Sequence, residues 1–284
     1  QVIDNQLSNE LAPPCDHTLM IHVAHSGEQR LVEESLDIEP YLAARWYVDA
    51  QGNRVMRLQA PAGSLSLRYR ATVERFADMA VSPAQESPVG ELPDAVLSFL
   101  LPSRYCESDL LSADAQQLFG ALPPGLSRVK AISEWIGQHI EYRVGTTVAT
   151  TTAKDVFEQR VGVCRDFAHL GITFCRALNI PARLVCGYAP FDEPPPDFHA
   201  VFEAFVGGRW VLFDPTGLSP LASFVRIACG RDAKDVAFAT IYGPARMVSM
   251  APCIEPVPTL RGAEAMPIVG KVLPSRHSNP ATVD

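Results

Sequence analysis

The chain has 284 residues, of which 47% are hydrophobic and 20% are charged, and its formal net charge is −8. These values describe a globular protein with a buried core, organised as one large domain or two of modest size. The basic residues are scattered singly, whereas a nucleic-acid partner would require a basic face. The composition therefore argues against nucleic-acid binding.

The sequence also carries no recognisable signal for export or membrane insertion. No apolar run approaches the roughly 20 residues that a bilayer-spanning helix needs, and QVIDNQLSNE has no basic patch followed by a hydrophobic stretch. The seven cysteines are an odd number and include no CxxC pair, unlike a disulfide framework or a zinc knuckle. We therefore expect a cytoplasmic protein that does not bind a membrane.

The first part of the chain is typical of an antiparallel β domain. TLMIHVAH, RWYVDAQGNRVMRL and SLSLRYRATVER alternate apolar and polar residues, and turn residues 49–53 divide the second segment into two strands. This pattern predicts a β sandwich or barrel over residues 1–80. His17, His22 and His25 lie on or near one strand, but their mixed spacing does not predict a metal site.

A linker and a helical region follow. SPAQESPVGELP is rich in proline and small polar residues and predicts a linker over 81–93. SADAQQLFGAL and LSRVKAISEWIGQHIEY have helical spacing, with Ser112 and Ser127 as predicted N-caps. TTAKDVFEQR predicts a short third helix.

The remaining segments are mostly extended, and they complete an α+β pattern. ARLVCGY, FHAVFEAFV and RWVLFDPTG predict strands, and after Met250 prolines recur while periodicity disappears. We therefore predict a second domain over 94–250 and a C-terminal extension over 251–284. The order of β domain, linker, helices and antiparallel sheet defines the α+β class.

Cys164, in GVCRDFAHL, is the first residue of chemical interest. A helix from about 163 to 178 is predicted by apolar residues three and four positions apart, namely Phe167, Leu170, Phe174 and Leu178. Cys164 would then lie in the first turn, where free backbone N–H groups and the helix dipole stabilise a thiolate. Asp166 is expected to accept hydrogen bonds from backbone N–H groups of the same turn. A buried, inert cysteine is the alternative, because free cysteine is among the most buried residue types.

A downstream hairpin supplies partners for such a thiolate. Gly207-Gly208 is suited to a two-residue hairpin turn, which pairs Val206 with Arg209 and sets the register of the strands. In that register His199 and Asp214 are diagonal neighbours on one face, within side-chain reach. An aspartate bonded to one imidazole nitrogen would leave the other free for the thiol proton.

Two other interpretations fit the same residues. His199 could be a half-buried strand residue and Asp214 a turn former before Pro215. Alternatively, Cys164, His199 and Asp214 could be zinc ligands, although three ligands without a spaced partner motif are unusual for zinc. We expect no metal and no cofactor.

The three blocks together resemble a known family. GVCRDFAHL, LNIPARLVCGY and DFHAVFEAFVGGRWVLFDPTG are similar to the bacterial transglutaminase-like superfamily, which belongs to the papain-like enzymes. The resemblance covers about residues 18–250 and includes the N-terminal β domain that accompanies many members. It implies that Cys164 is a nucleophile, His199 its base and Asp214 the group that orients the base.

The resemblance also implies an oxyanion-hole donor upstream of the cysteine. Tyr142 is preferred because EYRVG leaves its helix towards the cysteine block, whereas Trp135 is expected to fill the core. Tyr188 either lines the cleft or packs in the core. His169 is expected to be structural, and the loop 230–236 is either a lid over the site or an ordinary solvated loop.

The implied chemistry is thiolate attack on an amide carbonyl followed by resolution of an acyl-enzyme. We expect a hydrolase, such as a protease or amidase, or an acyltransferase, acting on a peptide or protein substrate. Hydrolysis is favoured over cross-linking because the sequence has no acidic calcium loop. The alternative is a catalytically silent module that binds peptide or protein on the same fold. The sequence does not predict the oligomeric state.

Overall fold

The structure is a computed structural model that describes residues 1–76, 85–191, 193 and 197–257. The described secondary structure is, in chain order, β1 (Val2–Leu11), β2 (Cys15–Leu19), β3 (Gln29–Glu39), β4 (Arg45–Val48), β5 (Arg54–Ala60), β6 (Gly63–Arg75), α1 (Asp94–Leu97), α2 (Ser112–Phe119), α3 (Leu126–His139), β7 (Glu141–Tyr142), α4 (Ala153–Gln159), β8 (Val161–Gly162), α5 (Cys164–Ala177), β9 (Ala182–Tyr188), β10 (His199–Val206), β11 (Arg209–Phe213), β12 (Val225–Gly230), β13 (Ala239–Tyr242) and β14 (Ala245–Glu255). Short 3-10 turns lie at Val89–Glu91, Ser98–Leu100 and Leu221–Ser223. None of the described helices combines the length and hydropathy needed to span a bilayer.

Two four-stranded antiparallel sheets form the N-terminal unit. Their strand orders are β14-β1-β6-β3 and β13-β2-β5-β4. Along β6, the residues Leu65, Leu67, Tyr69, Ala71 and Val73 are buried while their neighbours are not, as the alternating sequence predicts. The predicted α+β class with antiparallel sheets is therefore confirmed. Of the predicted N-terminal sandwich or barrel, the presence of two antiparallel sheets is confirmed.

The sequence did not predict strands β1 and β3. In β1 the buried face carries Asn5 and Asn9 between Ile3, Leu7 and Leu11, so polar residues conceal the alternation. Burial of Asn5 is tolerated because its amide donates a hydrogen bond to the Tyr188 hydroxyl at 3.2 Å. Nearly all of β3 is exposed or half-buried, and it lies at a sheet edge where little hydrophobic pattern is required.

The C-terminal strands return to the N-terminal unit. β14 pairs antiparallel with β1 from Leu11↔Ala245 to Val2↔Glu255, and β13 pairs with β2. This corrects the predicted division, in which residues up to 250 belonged to the second domain and 251–284 formed an extension. Pro252 made β14 resemble a tail, but an edge strand tolerates proline because one side of its backbone needs no partner. Residues 258–284 lie outside the described residues, as do residues 81–84 of the predicted linker.

The predicted helices are present, but two of their N-caps are different. Helix α2 begins at Ser112 itself, and α3 begins at Leu126 after Gly125, whose φ of 128° favours glycine. The Ser127 hydroxyl instead lies 3.5 Å from the Pro123 carbonyl oxygen. Thus neither Ser112 nor Ser127 caps a helix. The third predicted helix, α4, starts from a capping box formed by Thr152 and Asp155.

A third four-stranded antiparallel sheet, with strand order β11-β10-β9-β12, belongs to the second unit. Its strand β10 begins at His199. Helix α5 spans 164–177, in agreement with the predicted helix, and packs on β10. A Cβ atom added to Gly171 would lie 2.6 Å from Cε1 of Phe202, so the glycine allows helix and strand to approach closely. This contact sets the position of the helix relative to the strand.

The hairpin between β10 and β11 has the predicted register. Val206 pairs with Arg209 and Phe205 with Trp210, and the pairing continues to Phe202↔Phe213. Gly207 and Gly208 have φ angles of 61° and 75°, as a primed two-residue turn requires. On its other side β10 pairs with β9, which places His199 opposite Gly187.

Candidate active site

Cys164 is the first residue of α5 and is half-buried. The start of the helix is held by the buried Asp166, whose Oδ2 accepts from the Val163 N–H at 3.0 Å and from the Thr147 hydroxyl at 2.7 Å. This confirms the predicted capping role of Asp166. A Cβ atom on Gly162 would lie 2.8 Å from Cβ of Asp166, so glycine leaves room for the cap directly before the cysteine.

His199 and Asp214 are in contact. His199 Nε2 lies 2.8 Å from Asp214 Oδ2, and both side chains are buried, with exposures of 1% and 4%. The second carboxylate oxygen, Oδ1, accepts from the N–H and the hydroxyl of Thr216 at 2.9 and 2.7 Å. Asp214 is therefore fixed by the turn that follows β11 and presents one oxygen to the ring. Thr216 was not among the predicted site residues, although Asp-Pro-Thr is typical of such an Asp-anchored turn.

The other nitrogen of His199, Nδ1, is left free by the contact with Asp214. Nδ1 is buried and makes no hydrogen bond of normal geometry with the described residues, while the Cys164 side chain is close enough to affect the ring electrostatically. Burial lowers the pKa of His199, but hydrogen bonding and charge from Asp214 and Cys164 outweigh it and raise the pKa to about 9. The site thus favours an imidazolium beside the sulfur at neutral pH.

Tyr142 lies next to the same cysteine. It ends β7, which pairs in parallel with β8, and its ring packs against Phe167 with centroids 5.8 Å apart. Burial raises the pKa of Tyr142 far above its ordinary value, and the charge of Cys164 adds to this effect. The hydroxyl also interacts with the backbone N–H of Cys164. The predicted oxyanion candidate is therefore a neutral hydroxyl beside Cys164.

Tyr188 does not line the cleft. It is 1% exposed, and its hydroxyl donates to the Ile21 carbonyl at 2.7 Å while accepting from Asn5. Its ring packs against Phe198. The cleft interpretation is therefore wrong, because the tyrosine at the end of β9 joins the β11-β10-β9-β12 sheet to the N-terminal unit.

The other singled-out residues have structural roles. Trp135 packs against the core rings of Phe119 and Phe174, as expected. His169 is buried, and its Nε2 accepts from the Ala233 N–H at 3.1 Å. That bond ties the loop 230–236 to the middle of α5.

Cys164 is also set apart from the buried cysteines. Burial raises the pKa of Cys106 to about 12 and also raises the pKa of Cys175, so both thiols stay protonated.

Within the described part of the chain, no group of three His, Cys, Asp or Glu side chains is arranged to hold a metal ion. The residues that the structure brings together at the start of α5 are thus Cys164, His199, Asp214 and Tyr142.

Comparison with known proteins assigns this arrangement to a family. Residues 113–215 match the model of the transglutaminase-like superfamily. The crystal structure of a "putative cysteine protease" from Cytophaga hutchinsonii is 40% identical, with a TM-score of 0.83 over 88% of each chain. The chain belongs to the transglutaminase-like superfamily.

Two mycobacterial relatives match over part of their length. An uncharacterized protein of Mycobacterium leprae is 34% identical over 120 residues, which are 38% of this chain and 42% of that protein. An uncharacterized protein of Mycobacterium tuberculosis is 28% identical over 160 residues, 51% of this chain and 46% of the relative. The match spans less than half the length of either relative.

Proposed function

We propose that the chain is a cysteine-dependent enzyme that cleaves or transfers the acyl group of an amide. The observation that carries this proposal is the position of His199, which contacts Asp214 through Nε2 and whose ring is close enough to Cys164 for the two side chains to interact electrostatically. A histidine oriented in this way can move a proton between a thiol and a leaving group. The proposed nucleophile, base and orienting residue are Cys164, His199 and Asp214.

In the proposed reaction, the Cys164 thiolate attacks the carbonyl carbon and a carbon–sulfur bond forms as the carbonyl π pair moves to oxygen. The backbone N–H of Cys164 and the Tyr142 hydroxyl donate to that oxyanion. The His199 imidazolium gives its proton to the amine as the carbon–nitrogen bond breaks, which leaves a thioester. Water or an amine then attacks the thioester, His199 takes the proton, and the thiolate leaves.

We propose hydrolysis as the main outcome, with a peptide or protein as the substrate. The name of the Cytophaga hutchinsonii relative supports peptide-bond cleavage, and the free state of all seven cysteines supports the proposed reducing, cytoplasmic compartment. Transfer to an amine uses the same thioester and differs only in the acceptor. The proposed N-terminal sandwich would then serve as a scaffold for the catalytic sheet.

The test is incubation with a peptide library, read by mass spectrometry. Hydrolysis of a backbone amide splits the peptide, deamidation adds about one mass unit, and transfer produces a cross-linked or amine-bearing product. Cys164→Ala should abolish every such change. Cys175→Ala is the control, because it removes a buried thiol of the same helix, and the folded fraction of this variant should produce the same mass changes as the native chain. Turnover by a folded Cys164→Ala protein would contradict the proposal. A native chain that binds peptides without changing them would support the silent binding module.

A further inference from the structure

The loop between β7 and α4 presents two exposed apolar side chains and bonds to residues that flank Cys164. Val144 and Val148 are 66% and 64% exposed, and they lie in a segment that begins directly after Tyr142. We call residues 143–151 the valine loop. Single exposed apolar residues are normal on a protein surface, so the relevant question is what fixes these two in position.

The valine loop is bonded to the residues on both sides of Cys164. The Arg143 N–H donates to the Gly162 carbonyl at 3.0 Å, and Arg165 Nη2 donates to the Val148 carbonyl at 3.0 Å. The Thr147 hydroxyl bonds to Asp166, the residue that caps the cysteine helix. The loop therefore shares a fixed frame with the sulfur, because each of its partners is at most two residues from Cys164.

Hydrogen bonds within the loop restrict it further. The Val148 N–H donates to the Thr151 hydroxyl at 3.0 Å, and the Thr151 N–H donates back to the Val148 carbonyl at 3.1 Å. The Thr146 hydroxyl donates to the Arg143 carbonyl at 2.7 Å. An apolar surface held in this way gains the free energy of burial on binding with little loss of loop entropy.

We propose that Val144 and Val148 form a substrate-binding surface for an aliphatic or aromatic side chain adjacent to the attacked amide. This inference rests on the proposed role of Cys164 as nucleophile and adds a substrate preference to it. Every polar group of the loop named above is already bonded to the protein. The exposed large apolar side chains of the loop are the two valines, so the surface they form selects by apolar contact.

The preference can be measured without knowing the natural substrate. Two peptidyl chloromethyl ketones are compared, identical except for leucine or serine at the residue bearing the reactive carbon; alkylation joins that carbon to Cys164 and releases chloride. Each second-order rate constant is divided by the rate constant for iodoacetamide, which reports the thiolate alone. For the native chain, this normalised rate constant should be about tenfold higher for the leucine peptide than for the serine peptide. Tenfold is the low end of the discrimination that one apolar group provides.

The Val144→Ser/Val148→Ser variant should reduce the leucine-to-serine ratio to about two or less. Val32→Ser is the matched control, because Val32 is 57% exposed on β3 of the N-terminal unit and should leave the ratio unchanged. A native ratio near one, or a ratio that the double variant does not alter, would overturn the inference while leaving the nucleophile proposal standing. Failure of iodoacetamide to react with Cys164 would overturn the nucleophile proposal and this inference with it.

Discussion

At the scale of single residues, the environment of His199 determines when the site can work. Because Asp214 and Cys164 raise its pKa to about 9 against the effect of burial, the imidazolium is present at neutral pH and is lost as the pH rises through that value. The same sign applies to stability: the contribution of the ion pair is complete below the unfolded pKa near 6.5 and disappears above about 9. Proton donation to the leaving amine should have the same upper limit.

We therefore predict that kcat/KM for peptide hydrolysis falls above about pH 9. Asp214→Asn removes the negative charge while keeping the size of the side chain, so this limb should move to lower pH and kcat should fall by about 10²–10⁴. The pH profiles of both proteins provide the measurement. An Asp214→Asn profile with an unmoved basic limb would show that Asp214 does not control the ring.

Tyr142 provides a second prediction at the residue scale. If its hydroxyl donates to the oxyanion, Tyr142→Phe should reduce kcat by about 10²–10³ and leave alkylation of Cys164 by iodoacetamide nearly unchanged, because that reaction forms no oxyanion. Tyr242→Phe, at a tyrosine that is 63% exposed on β13, is the control and should retain full kcat. An equal loss of alkylation in Tyr142→Phe would indicate a structural role instead.

At the scale of elements, the contact between α5 and β10 determines whether the cysteine reaches the histidine. Gly171→Ala would place a methyl group 2.6 Å from the Phe202 ring, so the helix must move or the ring must turn. We predict a loss of about 1–3 kcal/mol in unfolding free energy and a lower kcat. The measurements are urea denaturation and peptide hydrolysis.

Adding Phe202→Leu to Gly171→Ala should restore part of both losses, because the smaller side chain leaves space for the new methyl group. Gly90→Ala is a suitable control, since nothing lies within 4 Å of its added Cβ, and it should stay within about 0.5 kcal/mol of the native chain. Unchanged stability in Gly171→Ala would show that the packing tolerates a wider separation.

Elements with strong local signals could be predicted from the sequence. Gly207-Gly208 fixed the hairpin register, and that register brought His199 and Asp214 together as the structure shows. The role of Tyr188 could not be decided from the sequence, because nothing in ARLVCGY indicates that this end of β9 contacts Asn5 on the distant strand β1. Strand β14 was missed for the same reason, since its pairing partner lies at the opposite end of the sequence.

At the scale of the whole molecule, Arg226 on β12 joins the N-terminal unit to the β11-β10-β9-β12 sheet. Its backbone N–H donates to Gln29 Oε1 at 2.9 Å, and its carbonyl accepts from Gln29 Nε2 at 2.9 Å. Its guanidinium bonds both to Glu203, which is 1% exposed on β10, and to Glu28, which is 47% exposed near β3. Two carboxylates of very different burial thus contact the same cation.

This difference gives the last prediction. Burial opposes ionisation of Glu203, but Arg226 and Arg183 hold the pKa of its carboxyl below the usual value, so the charged form is the stable one in the folded protein. Glu203→Gln leaves Arg226 buried without its main counter-charge and should cost about 3–5 kcal/mol. Glu28→Gln removes only a solvent-screened partner and should cost less than about 1 kcal/mol.

Both variants are compared with the native chain by urea denaturation, following the near-ultraviolet circular dichroism and intrinsic fluorescence. If Arg226 couples the two units, Glu203→Gln should lower the midpoint of a single transition, or divide it in two, at pH 7. The difference in unfolding free energy between the native chain and Glu203→Gln should also decrease as the pH falls through the folded pKa of Glu203, because protonation removes the same charge. Equal costs for the two substitutions would mean that burial does not distinguish the carboxylates, and that the units are joined instead by Gln29 and by the hydrogen bonds of Tyr188 with Asn5 and Ile21.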